Sequence, residues 1–294
     1  MSFIPYAISI ILILLLFFYL FWRMKPKKNL TRDVQILTYH KINDDFDWGI
    51  TRQRVNQFER GIKFLCDQGY RTVSLKEDLK PAKALDQKVV ITFDDGYEDV
   101  YLNAFPILQK YGFTAFVFVI TGFVGKYNSW DYNLNKRRKR HLSWKQIKEM
   151  SKYGFGFGSH TVNHPDLTKI DPLGGGVEYE LRKSKEVLED KLGNEVVFLS
   201  YPFGRYNQFV QEEAKRLGYK RAYALCSKNT ENGFQPFAQN RWGIYLFDSP
   251  LTLKIKLDRG RLFWIEDLKG RIINRFASGT SILKGSPDYS ILEQ

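Results

Sequence analysis

Val89-Val-Ile-Thr-Phe-Asp-Asp-Gly96 opens with five apolar or β-branched residues and ends on two adjacent carboxylates and a glycine. A short unbroken β-rich run of this kind reads as a strand buried on both faces, the pattern of a parallel sheet. Upstream lie QILTYH (35–40), a helical stretch over Val55–Gln68, and RTVSL (71–75). Downstream come a helical stretch over Val100–Lys110, TAFVFVI (114–120), a basic insertion from Gly125 to His141, and a helix within SWKQIKEMSKYG (143–154). GFGFGSH (154–160), a long helix over Glu178–Leu192, VVFLSYP (196–202), a helix over Phe209–Leu217 and KRAYAL (220–225) complete the alternation. β-runs separated by single helices predict an α/β fold with a parallel sheet, either open and doubly wound or closed into a barrel. Periodicity leaves both open.

Composition bounds the rest. The 294 residues are 44% hydrophobic and 26% charged, which excludes a wholly disordered, collagenous or multi-pass membrane protein. The net charge of +13 is concentrated: residues 1–32 carry five basic and no acidic side chains, and KRRKR (Lys136 to Arg140) adds five more. No helix-turn-helix, RNP or zinc-finger pattern accompanies that charge, so a nucleic-acid partner is not expected. Two cysteines, Cys66 and Cys226, cannot make a disulfide framework. Phe3 to Trp22 is a stretch of 20 uncharged residues, long enough as a helix to cross about 30 Å of hydrocarbon. Leu20-Phe21-Trp22-Arg23 lacks the small residues of a cleavage site, so residues 1–32 are expected to form an uncleaved anchor with a basic flank, and residues 33–294 the functional domain. Arg23, Lys25, Lys27 and Lys28 after the span, taken alone, place that domain in the cytoplasm.

Asp94 and Asp95 stand where a parallel strand delivers its last side chains to the functional rim, although such a pair also serves as a turn former. His160 and His164, in SHTVNHP, stand four apart, a spacing that on one helical turn brings two imidazoles to one side. With Asp95 they make a two-histidine, one-carboxylate set, which holds a divalent metal while leaving coordination positions open. Asp94 is then free to act as a base.

In combination these motifs resemble the polysaccharide deacetylases with a NodB-like domain (carbohydrate esterase family four), and the likeness runs from about Gln35 to Tyr245. TFDDG resembles the family's first motif, implying that Asp94 is the catalytic base and Asp95 a metal ligand. SHTVNH resembles the second, implying that His160 and His164 are ligands too. SYPFG resembles the third, implying that the backbone N–H of Phe203 serves an oxyanion hole. The resemblance also implies a distorted (β/α) barrel of seven strands, a divalent ion for which zinc is the commonest default, and an N-acetylated polysaccharide or oligosaccharide substrate. Such polymers lie outside the cytoplasm, in tension with the basic flank, and the expectation is a single-pass cell-membrane protein with an extracytoplasmic catalytic domain.

Two departures stand out. The usual third motif begins with an arginine that holds the catalytic aspartate; Ser200 stands there, and Arg241 in NRWG is the candidate replacement. The usual C-terminal Leu-x-Leu-x-His is reduced to LTLKI, and no histidine follows His164. In the branch that includes poly-N-acetylglucosamine deacetylases an early Tyr-His fills the general-acid role, and LTYHKI matches it through His40. The fourth histidine, His141, beside the basic run, is expected to be solvated. Trp130, Tyr132, Trp144, Tyr206 and Trp242 are candidate sugar platforms, each also a candidate core residue. Two other readings are an inactive polysaccharide binder, in view of the two departures, and a non-haem iron oxygenase, which the order of acid and histidines disfavours.

Overall fold

The computed structural model describes residues 34–45, 49–78, 87–128, 139–225 and 235–276. The expected membrane span at Phe3–Trp22 lies outside them, as do Cys226, Trp130 and Tyr132. Among the described residues no helix is long and apolar enough to cross a membrane, and Cys66 is an exposed free thiol.

Seven strands form the sheet that settles the fold: β1 (Gln35–Tyr39), β2 (Lys88–Phe93), β3 (Phe116–Val119), β4 (Gly156–Ser159), β5 (Phe198–Ser200), β6 (Arg221–Leu225) and β7 (Gln239–Gly243). They pair in the order β1-β7-β6-β5-β4-β3-β2, all parallel, and β1 also pairs with β2 over Gln35↔Val89 to Tyr39↔Phe93. Paired with β7 on one edge and β2 on the other, β1 closes the sheet into a seven-stranded barrel and decides between the two topologies that periodicity left open. Of RTVSL only Arg71–Thr72 is extended, against the start of β2 on the edge that β3 takes further along. Among the described residues the α-helices longer than four residues are α1 (Val55–Asp67), α2 (Phe105–Lys110, entered through a π-turn over Val100–Ala104), α3 (Trp144–Lys152), α4 (Gly176–Leu192), α5 (Gln208–Arg216), α6 (Pro250–Asp258) and α7 (Phe263–Phe276). Side-chain oxygens of Ser143, Asn207 and Ser249 accept backbone N–H bonds at the starts of α3, α5 and α6, satisfying donors that a helix leaves open.

Alternation along each strand divides the side chains into two cores. Leu37, Val89, Ile91, Val117, Leu199 and Ala222 point outward and pack with helical residues such as Phe58, Ile62, Leu181 and Val210. Ile36, Val90, Phe116, Phe118, Phe198 and Tyr223 form a second cluster that fills the barrel. The glycines of GFGFG follow from this: a Cβ at Gly156 would lie 2.3 Å from the Phe116 ring, and one at Gly158 would lie 2.7 Å from it. Above the aromatic layer the interior turns polar. Thr38 and Thr92 share a hydrogen bond of 2.9 Å, and Ser200 and Arg241 are both fully buried beside them. The same parity carries inward to His40, Asp94 and His160, one step beyond β1, β2 and β4.

Candidate active site

Asp94 and Asp95 share a peptide bond yet face different partners. Asp94 continues the inward parity of β2 and meets Arg241, whose Nη1 and Nη2 donate to Oδ1 at 2.8 Å and Oδ2 at 2.7 Å. This is the bidentate fork–fork geometry that a guanidinium and a carboxylate favour. Ser200 Oγ donates to Asp94 Oδ2 at 3.1 Å and accepts from Arg241 Nη2 at 2.7 Å, so it braces both partners. The guanidinium carbon also lies 5.0 Å from the centre of the Phe118 ring. The residue standing where the family's usual arginine is absent therefore supports the arginine that arrives from β7. Burial works against ionisation of Asp94, but the Arg241 charge and hydrogen bond, with His160, outweigh it and hold the carboxyl below its ordinary value.

Asp95 turns away through a left-handed backbone, φ 69°. Its Oδ1 lies 3.4 Å from His160 Nε2 and 3.5 Å from His164 Nε2, and donor atoms of the three residues all fall within 4.8 Å of one another. The two histidines do not share a helical turn, contrary to the simplest reading of their spacing: His160 ends β4, and a loop with Thr161 at φ 65° and His164 at φ 59° folds the second imidazole back onto the first. Their ring centres are 4.8 Å apart. Of five non-glycine residues with positive φ among the described residues, four, Asp95, Thr161, His164 and Phe203, belong to this site. Strained backbone concentrates where a geometry has to be enforced.

The donor set suits a divalent cation. His160 Nδ1 pairs with the Ser200 carbonyl at 2.8 Å, which fixes the proton on Nδ1 and directs the lone pair of Nε2 at Asp95. Burial, then the neighbouring His160, pushes His164 down to about 3, so it is a neutral imidazole at neutral pH. Burial disfavours the charge on His160, but Asp94 and Asp95 overcome it and raise its pKa. Burial likewise opposes ionisation of Asp95, and the His160 hydrogen bond and His164 prevail to hold it well below the carboxylate range. Imidazole nitrogens gathered on one carboxylate oxygen are the arrangement a cation or a shared proton stabilises.

The loop carrying these ligands is itself held. Glu180, fully buried on α4, accepts hydrogen bonds from the backbone N–H of Val162 (2.7 Å) and Asn163 (2.9 Å) and from Asn163 Nδ2 (2.8 Å). Further along, Arg205 Nη1 donates to Asp166 at 2.9 Å and joins this loop to the one that carries Phe203. Phe203 has φ 57° and sets its ring edge-on to His164, with centres 4.6 Å apart. His40 borders the same space, half-buried. Burial lowers its pKa, and Asp95 and Asp94 pull it back up.

Sequence reasoning singled out the two aspartates, three histidines, Phe203 and Arg241, and the fold brings all of them to the C-terminal rim of one barrel. It missed Glu180, which a helical glutamate 17 residues beyond Asn163 does not announce. It also misread His141. That residue is buried rather than solvated: its Nδ1 pairs with the Asp95 carbonyl at 2.9 Å and its ring stacks on Tyr97, centres 4.9 Å apart. Burial lowers its pKa. The adjacent Lys139 is not a free loop cation either, since its ammonium pairs with Asp45 and its N–H donates to Asn128 Oδ1 at 2.9 Å. Lys136, Arg137 and Arg138 lie outside the described residues. Among the aromatic candidates, Trp242 is buried against Phe263 and Tyr206 stacks on Tyr201, while Trp144 is half-buried at the start of α3.

Comparison with known proteins agrees with this geometry. The family described as polysaccharide deacetylase matches residues 82–222. Over that region the sequence matches the pattern of the polysaccharide deacetylase family. The YxkH protein of Bacillus subtilis (strain 168), whose name assigns it provisionally to the polysaccharide deacetylases, is 34% identical over 203 residues, 67% of this chain and 64% of its own length. A poly-β-1,6-N-acetyl-D-glucosamine N-deacetylase of Staphylococcus aureus (strain MRSA252) is 33% identical over 183 residues, 59% of this chain and 61% of that protein. The chain thus spans a little under two thirds of these relatives. Among solved structures, the Streptococcus pyogenes deacetylase PplD in complex with acetate superposes with a TM-score of 0.65 at 28% identity, covering 76% of this chain and 97% of PplD.

Proposed function

We propose that the protein is a metal-dependent hydrolase that removes acetyl groups from N-acetylated sugars of a polysaccharide, breaking a carbon–nitrogen bond that is not a peptide bond. The observation that carries this reading is the split between adjacent carboxylates: Asp94 bidentate to a buried Arg241, Asp95 facing two imidazoles. The match to the polysaccharide deacetylase pattern and the poly-β-1,6-N-acetyl-D-glucosamine relative support the substrate class.

Asp95, His160 and His164 would hold the ion, with zinc the commonest choice for such a donor set. A divalent ion bound there supplies Lewis acidity, polarising the acetamide carbonyl and making water a better nucleophile near neutral pH. Asp94, kept ionised by Arg241, accepts the proton of the attacking water. The N–H of Phe203, set by its left-handed turn, stabilises charge developing on the carbonyl oxygen. His40 hands a proton to the departing amine, and because its pKa is lowered, its protonated form is the stronger acid. Arg241 and His40 answer the two departures that favoured an inactive binder: a guanidinium does hold Asp94, and an imidazole does border the site.

Residues 3–22 are proposed as a single membrane anchor and residues 33–294 as the catalytic domain, on the extracytoplasmic side where N-acetylated polymers lie. Acetate release from β-1,6-linked N-acetylglucosamine oligomers tests the activity. Release that a chelator abolishes and zinc restores is the expected result, and release unaffected by chelation overturns the metal-dependent mechanism. A reporter fused at the C-terminus tests the side.

A further inference from the structure

One helix presents to solvent the kind of face that helices normally bury. On α7 the side chains of Ile265, Leu268 and Ile272 are 43%, 49% and 51% exposed, and their i, i+3, i+7 spacing puts them on one stripe. Arg261, Arg271 and Arg275, all exposed, flank it. The acidic residues of the helix are paired: Glu266 is buried in an ion pair with Lys256, and the half-buried Asp267 is bonded by Arg271 at 2.9 Å. Leu262 is exposed directly before α7 and Phe247 and Leu251 at or before the start of α6, whereas Leu102, Tyr127, Tyr153 and Leu173 are scattered along the chain, as on any soluble surface.

We propose that the exposed face of α7 is an interfacial surface that lies on an anionic lipid bilayer. An apolar stripe with Arg271 and Arg275 along one edge and Arg261 just before the helix, the nearby Asp267 being paired with Arg271, complements an acyl boundary beneath negatively charged headgroups. Its location agrees. Gln35, at the start of β1, accepts hydrogen bonds through Oε1 from Arg259 Nε at 3.0 Å and Trp242 Nε1 at 3.1 Å. Arg259 immediately precedes the turn into α7, so the helix begins beside the point where the chain enters the barrel from its N-terminal side. Only residues 23–34 separate Gln35 from the apolar stretch ending at Trp22, a tether of at most about 40 Å fully extended. The inference rests on the anchor reading for that proximity, and on the side chains of α7 for the contact itself. Asn274 Nδ2 donates to the carbonyl of Leu225, the last residue of β6, at 3.1 Å. The helix therefore runs up the barrel wall toward the catalytic rim, and docking it would lay the barrel on its side with the site opening along the membrane surface.

The test uses the full chain with Cys66→Ser and Cys226→Ser, labelled with an environment-sensitive fluorophore through Ile272→Cys, or through Tyr153→Cys at the end of α3 on the far wall. Each is reconstituted into vesicles of phosphatidylcholine with or without phosphatidylglycerol. With phosphatidylglycerol, the label at 272 is expected to shift to the blue, to be quenched by spin-labelled lipid and to lose several-fold accessibility to iodide, while the label at 153 does none of these. Replacing Arg261, Arg271 and Arg275 with glutamate should abolish the response without releasing the chain from the vesicles. A label at 272 that stays open to iodide on floating vesicles overturns the proposal. So does one already shielded in detergent, which points to cover by residues 277–294, or one whose shift tracks protein density, which points to a second copy. Failure of the chain to float overturns the anchor reading and this proposal together. Acetate release from short oligomers, measured on the same samples, reports separately on the enzymatic reading.

Discussion

Asp94 and Asp95 are one bond apart and are predicted to fail differently. Asp95→Ala, His160→Ala and His164→Ala each remove a donor and should lose bound metal, whereas Asp94→Asn leaves the donor set intact and should keep it while turnover falls by about 10²–10⁴. Metal content of the purified variants separates the two outcomes, and an Asp94→Asn protein without metal would show that the roles are misassigned. The sequence made both aspartates conspicuous but did not say how they diverge. That depends on the left-handed φ of 69° at Asp95 and on Arg241, a residue 147 positions away from Asp94. His40 gives a second test at this scale. His40→Ala should retain metal and fold, and lose turnover by about 10²–10⁴ on an acetamide. Acetyl esters with good leaving groups should lose less, because they need less protonation as they depart. Equal losses on both substrates would exclude proton donation to the leaving group. His141 shows where reading by residue type fails: the basic run beside it suggested solvent, but its partner is a backbone carbonyl, and a carbonyl has no sequence signature.

Whole elements hold these side chains in place, and the loop after β4 depends on one helix. Glu180 satisfies two backbone N–H groups between the histidines, and leaving such buried donors without acceptors costs about 1–3 kcal/mol each. Glu180→Ala should therefore weaken metal affinity by at least about tenfold, in line with the loss of partners that orient metal ligands, while Glu180→Gln, which keeps one acceptor oxygen, should recover part of it. Titration with a competing chelator measures both. Affinity equal to wild type in Glu180→Ala would mean that the loop holds its shape unaided. Strand legibility followed polarity. The apolar runs that became β2, β3 and β6 were readable from composition because each is buried on both faces. β7, Gln-Asn-Arg-Trp-Gly, carries no such run, because its inward positions face the polar layer above the aromatic core and must supply the charge for Asp94. The strand that completes the site is for that reason the one the pattern could not announce.

At the scale of the molecule, closure of the barrel brings the first and last strands together, and a buried ionic cluster secures the chain just past that seam. Lys256, on α6, donates to the carbonyl of Gly243 at the end of β7 at 2.9 Å and to Asp248 Oδ2 at 2.5 Å. Asp248 also accepts from the N–H of Tyr245 at 2.8 Å and from Lys269 of α7 at 2.6 Å. Periodicity could not show closure, since it needs β1 to pair with β7 some 200 residues away; the family resemblance alone implied it, and nothing in the sequence pointed to this cluster, whose members look like ordinary surface charges. Burial opposes ionisation of Asp248, but Lys256 and Lys269 overcome it and hold the carboxyl below its ordinary value. A folded-state pKa below the unfolded one contributes stability above the unfolded value, about 3.9 for aspartate, and that stability is lost as pH falls through the folded value. Lys256→Met strips a buried carboxylate of one counter-charge and should destabilise by about 3 kcal/mol, the lower end for breaking a buried pair, because Lys269 remains. The double variant Lys256→Met with Asp248→Asn removes the stranded charge and should recover part of that loss. Its stability should also fall less steeply below pH 4 than that of the wild type, because the titrating carboxyl is gone. Urea unfolding of wild type, both single variants and the double variant at neutral and acid pH measures the coupling directly. Metal affinity should hold in all four, since none of the cluster's atoms touches Asp95, His160 or His164. Strictly additive single-variant losses would show that Lys256 and Asp248 act independently, and the ionic fastening of the seam would then have to be abandoned.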